Sequence, residues 1–281
     1  MLIMDFKKIL TIFTIALLLS ACGAKKDTQN TKKNNSATSK VLLNELEFSK
    51  RPFVSLVPHS TNRLFTFFGQ NINQAEEASI DLEYQSGDLL KGIKANIETP
   101  IPDKYIKGII LGSCSTGGKC SFDKDLKSGT TKLRMKFSGK PEIHLLKGDF
   151  TFVLGQPNLP DGKVSFTPAK ASAKDNFIMM NSFGLPKPFD KEVLLYPVVF
   201  SSTSDKPVAG DLVITAPLAT AAYIYDGSSF VPLKSSAKDG SVTININQKP
   251  WTLSAEITRD DEKGSKESLN LYLVGPIILT K

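Results

Sequence analysis

Apolar and polar residues alternate with a period of two in several stretches of the chain. The pattern is clearest in four short runs, at residues 80–84, 133–137, 242–246 and 253–257. In each run every second side chain is apolar, as in a strand that packs one face on a core and exposes the other face to water. The alternation therefore predicts antiparallel sheets that are covered on one side.

Turn-forming residues separate these runs, at residues 86–87, 160–162, 226–227, 239–240 and 259–267. Gly, Asp and Asn tolerate the positive φ angles of tight hairpins, and Pro fixes the entry to a turn. Short strands separated by turns at regular intervals are typical of β-sandwiches and β-barrels. We therefore predict an all-β fold, built as an antiparallel β-sandwich.

The length of 281 residues allows one large domain or two of ordinary size. The longest polar and small-residue interruption of the body lies at residues 168–174. We expect it to separate two immunoglobulin-like sandwich domains in tandem, at 41–168 and 175–281. A single continuous sandwich with a long crossing loop is the alternative.

The first 21 residues have the layout of an export signal. Lys7 and Lys8 precede an apolar run at residues 9–19, which is too short for a stable membrane-spanning helix. The segment 19–22, Leu-Ser-Ala-Cys, resembles the lipobox of bacterial lipoproteins. The resemblance implies cleavage between Ala21 and Cys22, a diacylglyceryl group on the Cys22 thiol and acylation of the new amine. An ordinary cleaved signal with a stray Cys and an uncleaved apolar anchor are the alternatives.

Residues 23–40 are polar throughout and predict a flexible tether between the Cys22 anchor and the body. The net charge is +1 for residues 1–21 and +4 for residues 23–40, so that +2 of the total of +7 remains for residues 41–281. A protein that binds nucleic acid concentrates positive charge on its folded surface, so the nearly neutral body argues against that function. The basic tether suits anionic head groups instead.

The lipobox resemblance also bears on location. A lipid anchor implies the membrane as a partner, and two or three acyl chains attach a protein to the bilayer stably. In that family Asp after the modified Cys favours the inner membrane, so Gly23 favours the outer membrane. Whether the body faces the periplasm or the cell surface stays open.

Cys114 and Cys120 enclose a five-residue segment with two Gly residues. In an exported protein this spacing predicts a local disulfide. A structural zinc site needs four ligands, and only His59 and His144 are available to complete one, so we expect no metal. The same stretch lacks the Lys and the following helix of a phosphate-binding loop.

Four aromatic residues are candidate ligand contacts: Tyr223, Tyr225, Phe230 and Trp251. Aromatic rings with polar tips can stack on a sugar or a peptide, although packing in or beside the core is the alternative. Sandwiches also carry recognition in end loops, and the candidate loops are 99–104, 114–120 and 183–189.

We expect a non-catalytic binding or structural module of the cell envelope, without a cofactor, whose partner is an envelope protein or polysaccharide. A hydrolase of envelope polymers is the first alternative, with His59 or His144 as its base. An envelope assembly factor is the second. Neither histidine lies in a recognised catalytic motif.

Overall fold

A computed structural model describes residues 39–116, 119–153, 157–170, 172, 176–258 and 266–281. The predicted signal, the lipidation site Cys22 with the cleavage site at Ala21, and the tether up to residue 38 lie outside the described residues. Within the described ranges, no helix is both long enough and apolar enough to span a membrane.

Strands dominate the described part of the chain. One short 3₁₀ helix, Phe48–Lys50, lies between the first two strands of the described ranges. The strands are β1 Val41–Leu43, β2 Phe53–Pro58, β3 Leu64–Gln70, β4 Glu77–Ser86, β5 Leu89–Ile97, β6 Lys104–Ile110, β7 Gly112–Cys114, β8 Cys120–Phe122, β9 Leu126–Lys136, β10 Ile143–Phe152, β11 Val164–Pro168, β12 Phe177–Asn181, β13 Val198–Ser202, β14 Val208–Thr215, β15 Ala221–Tyr225, β16 Phe230–Leu233, β17 Ser235–Lys238, β18 Ser241–Gln248, β19 Trp251–Thr258 and β20 Lys266–Thr280. The predicted all-β fold is confirmed.

Among the described residues the strands form four sheets, of eleven, four, three and two strands. The large sheet has the order β16-β15-β20-β13-β12-β10-β9-β4-β5, with β1 added to β10 and β19 to β20. The smaller sheets have the orders β11-β14-β18-β17, β2-β3-β6 and β7-β8. β1 runs parallel to β10, whereas the neighbouring pairs β10–β9 and β10–β12 are antiparallel. The antiparallel pattern is the one that the alternation predicts.

The buried apolar side chains of the described residues form two clusters. Core 1 lies mainly between the β2-β3-β6 sheet and strands β4, β9 and β10 of the large sheet. Core 2 lies between the β11-β14-β18-β17 sheet and strands β12, β13, β15 and β20 of the large sheet. Each core is thus closed by two sheets packed face to face, which makes the fold sandwich-like.

Strands β12 and β13 contribute to both cores. Ile178 and Met180 belong to core 1, whereas Phe177 and Met179 belong to core 2. All five residues of each strand are buried. A strand covered on both faces has a continuous apolar run rather than alternation, as in the segment Phe177–Asn181.

The tandem-domain arrangement is not confirmed. Residues 39–281 form one compact unit by their contacts. β10 and β12 lie on opposite sides of the proposed boundary at 168–174 and pair directly, Phe150 with Met180. Core 2 also contains Val164 and Phe166 from the sequence before that boundary.

Candidate functional site

The body contains a cleft of about 450 Å³ between the short helix Phe48–Lys50 and the loop that leads into β13. We name it the aromatic cleft. Its lining consists of Glu47, Phe48, Ser49, Arg51, Asn71, Leu185, Lys187, Pro188, Phe189, Lys191, Glu192 and Val193. The volume lies in the range of small-ligand sites, about 300 to 1,000 Å³. Apolar side chains and a few charged groups share the lining, so the cleft suits a ligand with both kinds of surface.

The loop 184–193 is fastened to the body at several points. Asn71 Nδ2 donates a hydrogen bond of 3.4 Å to Leu185 O, and Gln70 Nε2 donates one of 3.3 Å to Pro186 O. Lys187 Nζ donates a hydrogen bond of 2.8 Å to Ser228 O. Gly184 lies so close to the backbone of Arg51 that an added Cβ would collide with its carbonyl oxygen. These contacts fix one wall of the cleft.

Arg51 holds the opposite wall. Its Nε donates to Leu46 O at 2.7 Å and its terminal NH₂ donates to Asn44 O at 2.8 Å. The guanidinium carbon lies 5.8 Å from the Phe48 ring centroid and 5.3 Å from that of Tyr196, within cation–π range. Burial raises the pKa of Tyr196, and the charge of Arg51 opposes that rise. Arg51 therefore positions Phe48 and the short helix.

A row of aromatic rings stands behind Phe189. The Phe189 centroid lies 4.9 Å from that of Phe230 and 5.3 Å from that of Tyr223. The row continues into the body from Phe230 to Tyr225 at 5.3 Å, from Tyr225 to Trp251 at 5.8 Å and from Trp251 to Phe53 of core 1 at 6.4 Å. Phe189 itself is half-buried, so one part of its ring faces the cleft. The row braces this ring against the core.

The four predicted aromatic contacts are brought together, but they do not line the cleft. Tyr225 is only 5% exposed, and its hydroxyl donates to Gly227 O at 2.9 Å. Trp251 is half-buried and donates from Nε1 to Gly275 O at 2.8 Å. Tyr223 and Phe230 form the layer directly behind Phe189. Tyr225 packs on both Phe230 and Trp251, whereas Tyr223 contacts Phe189 and Lys191.

Charged groups surround the mouth of the cleft. Glu47 Oε2 pairs with Lys50 Nζ at 2.8 Å, and Glu192 Oε2 pairs with Lys281 Nζ at 3.1 Å. Hydrogen bonds from Lys50 and Ser49 lower the pKa of Glu47 below its ordinary value. Lys191 Nζ lies 4.5 Å from the Tyr223 ring centroid and donates a hydrogen bond to the Tyr223 hydroxyl, which raises the pKa of Lys191. At neutral pH the rim therefore carries both signs of charge.

The residues of the cleft come from distant parts of the sequence. The loop 183–189, one of the three candidate recognition loops, supplies Leu185, Lys187, Pro188 and Phe189. Phe48 and Arg51 were missed by the sequence analysis, because no local pattern connects residues 48–51 with a loop more than 130 positions later. The sequence offers one weak signal for these two residues. Arg51 directly precedes Pro52, and Phe48 lies three positions before Arg51, in the segment between strands β1 and β2.

The predicted disulfide between Cys114 and Cys120 is present. It closes the β7–β8 hairpin, in which these two residues pair directly. A separate groove of about 660 Å³ begins just after it and is lined in part by Arg63, Phe122 and Asp123. Arg63 Cζ lies 4.8 Å from the Phe122 ring centroid, and Asp123 accepts a hydrogen bond of 2.6 Å from Tyr84. Lys91, outside the lining, also pairs with Asp123, with Nζ 3.4 Å from Oδ1, and across the groove Asn176 Nδ2 donates a hydrogen bond to Asn62 Oδ1.

The two histidines occupy different places. His59 Nε2 lies 3.2 Å from Glu267 Oε1, and His59 Nδ1 lies 2.9 Å from Thr61 Oγ1. The Thr61 hydroxyl accepts from Arg63 N at 3.4 Å, so this contact forms part of the turn between β2 and β3. His144 packs against the Phe137 ring at 5.3 Å, and its Nδ1 has no hydrogen-bond partner among the described residues. Neither histidine lines the aromatic cleft.

In the part of the chain that the structure describes, no group of three or more His, Cys, Asp or Glu residues is placed to hold a metal ion. No protein-family model matches the chain, and no curated protein is significantly similar to it.

Proposed function

We propose that this protein is a non-catalytic binding module of the cell envelope, held by a lipid on Cys22, and that its aromatic cleft binds a saccharide unit of an envelope polymer. One observation carries the proposal: Phe189 presents part of its ring to a cleft of about 450 Å³ while Phe230 and Tyr223 brace it from behind. A rigid ring in a concave site loses little entropy when a ligand covers it.

The chemistry of the lining favours a saccharide. A sugar ring has an apolar C–H face and a rim of hydroxyl groups, so it needs an aromatic surface and nearby polar groups. Phe189 and Phe48 supply the aromatic surface, and Asn71, Glu47 and Glu192 supply donors and acceptors around it. The two carboxylates can accept hydrogen bonds from sugar hydroxyls while they remain paired with lysines.

A protein strand that extends the sheet beside the cleft is less well supported. β16 is the outer strand at this end of the large sheet, and Phe230 at its start packs on Phe189. Pro232 lies in the middle of β16 and has no N–H group to donate to an added strand. The edge nearest the cleft is therefore blunted against strand addition.

A glycoside hydrolase is an alternative, because Glu47 and Glu192 both line the cleft. Most such enzymes need a pair of carboxylates on either side of the glycosidic bond. One of the pair must then be a general acid whose pKa is raised by an apolar environment. Glu47 has the opposite environment, since its hydrogen bonds to Lys50 and Ser49 lower its pKa. The Glu192 side chain is 69% exposed and paired with Lys281. These surroundings support binding over hydrolysis.

The anchor is tested by metabolic labelling with an alkyne analogue of palmitate in cells that produce the full chain. We expect the wild-type protein to be labelled and the Cys22→Ala variant to lose the label. Equal labelling of both forms would refute the anchor.

The cleft is tested by co-sedimentation of the protein with purified peptidoglycan sacculi, and with O-polysaccharide coupled to beads. Phe189→Ala is expected to weaken sedimentation with one of these polymers, whereas Phe122→Ala, which changes a half-buried ring of the separate groove, is the matched control. Sedimentation that Phe189→Ala leaves unchanged would refute the saccharide site. Cross-linking of the Phe189 loop to an envelope protein instead would assign the cleft to the assembly-factor alternative. Release of reducing sugar that Glu47→Gln abolishes would assign it to the hydrolase.

A further inference from the structure

Two aliphatic side chains lie exposed at the point where the body begins. Val41 is 47% exposed and Leu43 is 53% exposed, and both belong to β1. β1 pairs in parallel with β10, Val41 opposite Ile143 and Leu43 opposite Leu145. Paired residues of neighbouring strands project from the same face of a sheet, so these four side chains form one apolar surface. We name these four residues the β1 patch.

Lysines surround the β1 patch. Lys40 directly precedes it, and its carbonyl oxygen accepts a hydrogen bond of 2.9 Å from Ile143 N. Lys140 lies in the turn between β9 and β10, and Lys147 follows Leu145 on the same face of β10. All three are exposed, and none of them forms an ion pair within the described ranges. Glu45 and Glu142 reduce the excess of positive charge without removing it.

We propose that the β1 patch is a membrane-docking surface that rests on the same bilayer that holds the lipid on Cys22. This inference rests on the proposed function, because it needs the anchor. It adds a second contact, which fixes how the body is turned relative to the membrane.

The position of the tether favours the bilayer as the occupant. Eighteen residues, 23–40, separate Cys22 from β1, and a polypeptide of that length has a root-mean-square span of roughly 23 Å when it is a random coil. Lys40 directly precedes β1, so the β1 patch is the described apolar surface that lies closest along the chain to Cys22. Aliphatic side chains flanked by lysines suit an anionic interface, where the chains enter the head-group region and the ammonium groups meet phosphates.

A second copy of the chain is a poorer occupant. A stable dimer buries about 800 Å² on each partner, which four aliphatic side chains at the edge of a sheet do not provide. A twofold contact through this surface would also bring Lys40, Lys140 and Lys147 of both copies together, and like charges oppose such an association.

The chain offers a matched control at the other end of the same strands. Leu90, which is 72% exposed, lies beside the turn between β4 and β5. The register places that turn next to Leu126 at the start of β9, whereas the β1 patch lies beside Lys136 at its end. The two positions are about 33 Å apart along β9, at about 3.3 Å per residue.

The test uses the full chain, purified from producing cells with detergent and reconstituted into vesicles of phosphatidylethanolamine and phosphatidylglycerol. Single variants Val41→Cys and Leu90→Cys carry an environment-sensitive fluorophore, and a nitroxide on the lipid head groups serves as the quencher. We expect a blue shift and strong quenching at position 41 and neither effect at position 90. Lys140→Glu combined with Lys147→Glu is expected to remove the dependence on phosphatidylglycerol.

Mass spectrometry of the same preparation distinguishes a failure of the lipid anchor from a failure of the docking surface. A chain without lipid on Cys22 would overturn the anchor and with it the proposed function. A lipidated chain in which positions 41 and 90 are quenched equally would overturn the docking surface alone. A shift at position 41 that follows protein concentration rather than lipid composition would assign the patch to a second copy and would likewise overturn the inference.

Discussion

Phe177 and Ile178 are neighbours in the chain, yet their side chains enter different cores: Phe177 packs in core 2 and Ile178 in core 1. Both side chains are at most 1% exposed. Strand β12 is therefore a wall that the two cores share, and a change in one core alters a strand that the other also needs. We expect the described body to unfold as one cooperative unit.

Truncation of a large side chain in either core tests whether the two cores unfold together. Phe67→Ala in core 1 and Phe200→Ala in core 2 are each expected to lower the free energy of unfolding by about 3–5 kcal/mol, because each leaves a cavity. Calorimetry of each variant should show one transition at a lower temperature. Leu218→Ala, at a side chain that is 67% exposed, is the control and should change little. Two separate transitions, one of them unshifted, would show that the cores fold independently.

Gly184 is expected to be essential for the aromatic cleft. An added Cβ would collide with the carbonyl oxygen and carbon of Arg51, which are backbone atoms and cannot rotate away. Gly184→Ala should therefore displace the loop 184–193 and lower both stability and ligand binding. Gly92→Ala is the control, because its nearest neighbour, Leu82 O, would lie at 3.9 Å from the new Cβ. Equal thermal stability of the two variants would contradict the close approach.

The disulfide is expected to contribute modestly to stability. Cys114 and Cys120 are six positions apart, and closing so short a loop limits the gain in free energy of unfolding to about 2 kcal/mol on the chain-entropy model. A Cys114→Ser, Cys120→Ser double variant should keep the fold and lose about that amount in a denaturant titration. Loss of the folded state would show that the β7–β8 hairpin supports more of the body than its position suggests.

Tyr225 provides a pH-dependent prediction. Burial, together with the charge of Asp226, raises the pKa of the Tyr225 hydroxyl above the ordinary value of 10.0. The folded state favours the neutral phenol, so its contribution to stability is complete below pH 10.0 and is lost as the pH rises through the higher folded-state pKa. Burial also raises the pKa of Tyr105 and Tyr196, so phenolate absorbance should show several late-titrating groups, of which Tyr225→Phe removes one. If the absorbance that the variant loses belongs to a group titrating at the ordinary value of 10.0, the result would contradict this burial.

Trp251 should report packing rather than ligand binding. Its indole N–H is bonded to Gly275 O, and its ring lies between Phe53 and Tyr225. Its fluorescence should be blue-shifted in the free protein and poorly quenched by iodide. Free access of iodide to Trp251 would show that the ring is open to solvent and would favour its predicted role as a ligand contact.

The alternation along the chain predicted the strands that are covered on one face. The alternation is present in β4, β9, β18 and β19, because every second side chain of these strands faces solvent and is polar. β12 and β13 show no alternation because both of their faces are buried, so neither the shared wall nor the continuity of the large sheet could be read from the pattern.

The site was predictable only in part. The Gly- and Pro-rich loop 183–189 was a recognisable candidate, and it does line the aromatic cleft. The opposite wall at Phe48 and Arg51 depends on packing between distant segments, which a single sequence does not reveal. The pairing of Cys114 with Cys120 was local and therefore predictable.

The most direct measurement of the central claim is saturation-transfer difference NMR with soluble oligosaccharides released from the polymer that the protein sediments with, irradiating the aromatic resonances of the protein. We expect transfer to the C–H protons on one face of a sugar ring, and loss of that transfer in Phe189→Ala but not in Phe122→Ala. The same transfer to the sugar in wild type and Phe189→Ala would contradict the assignment of the aromatic cleft as a saccharide site.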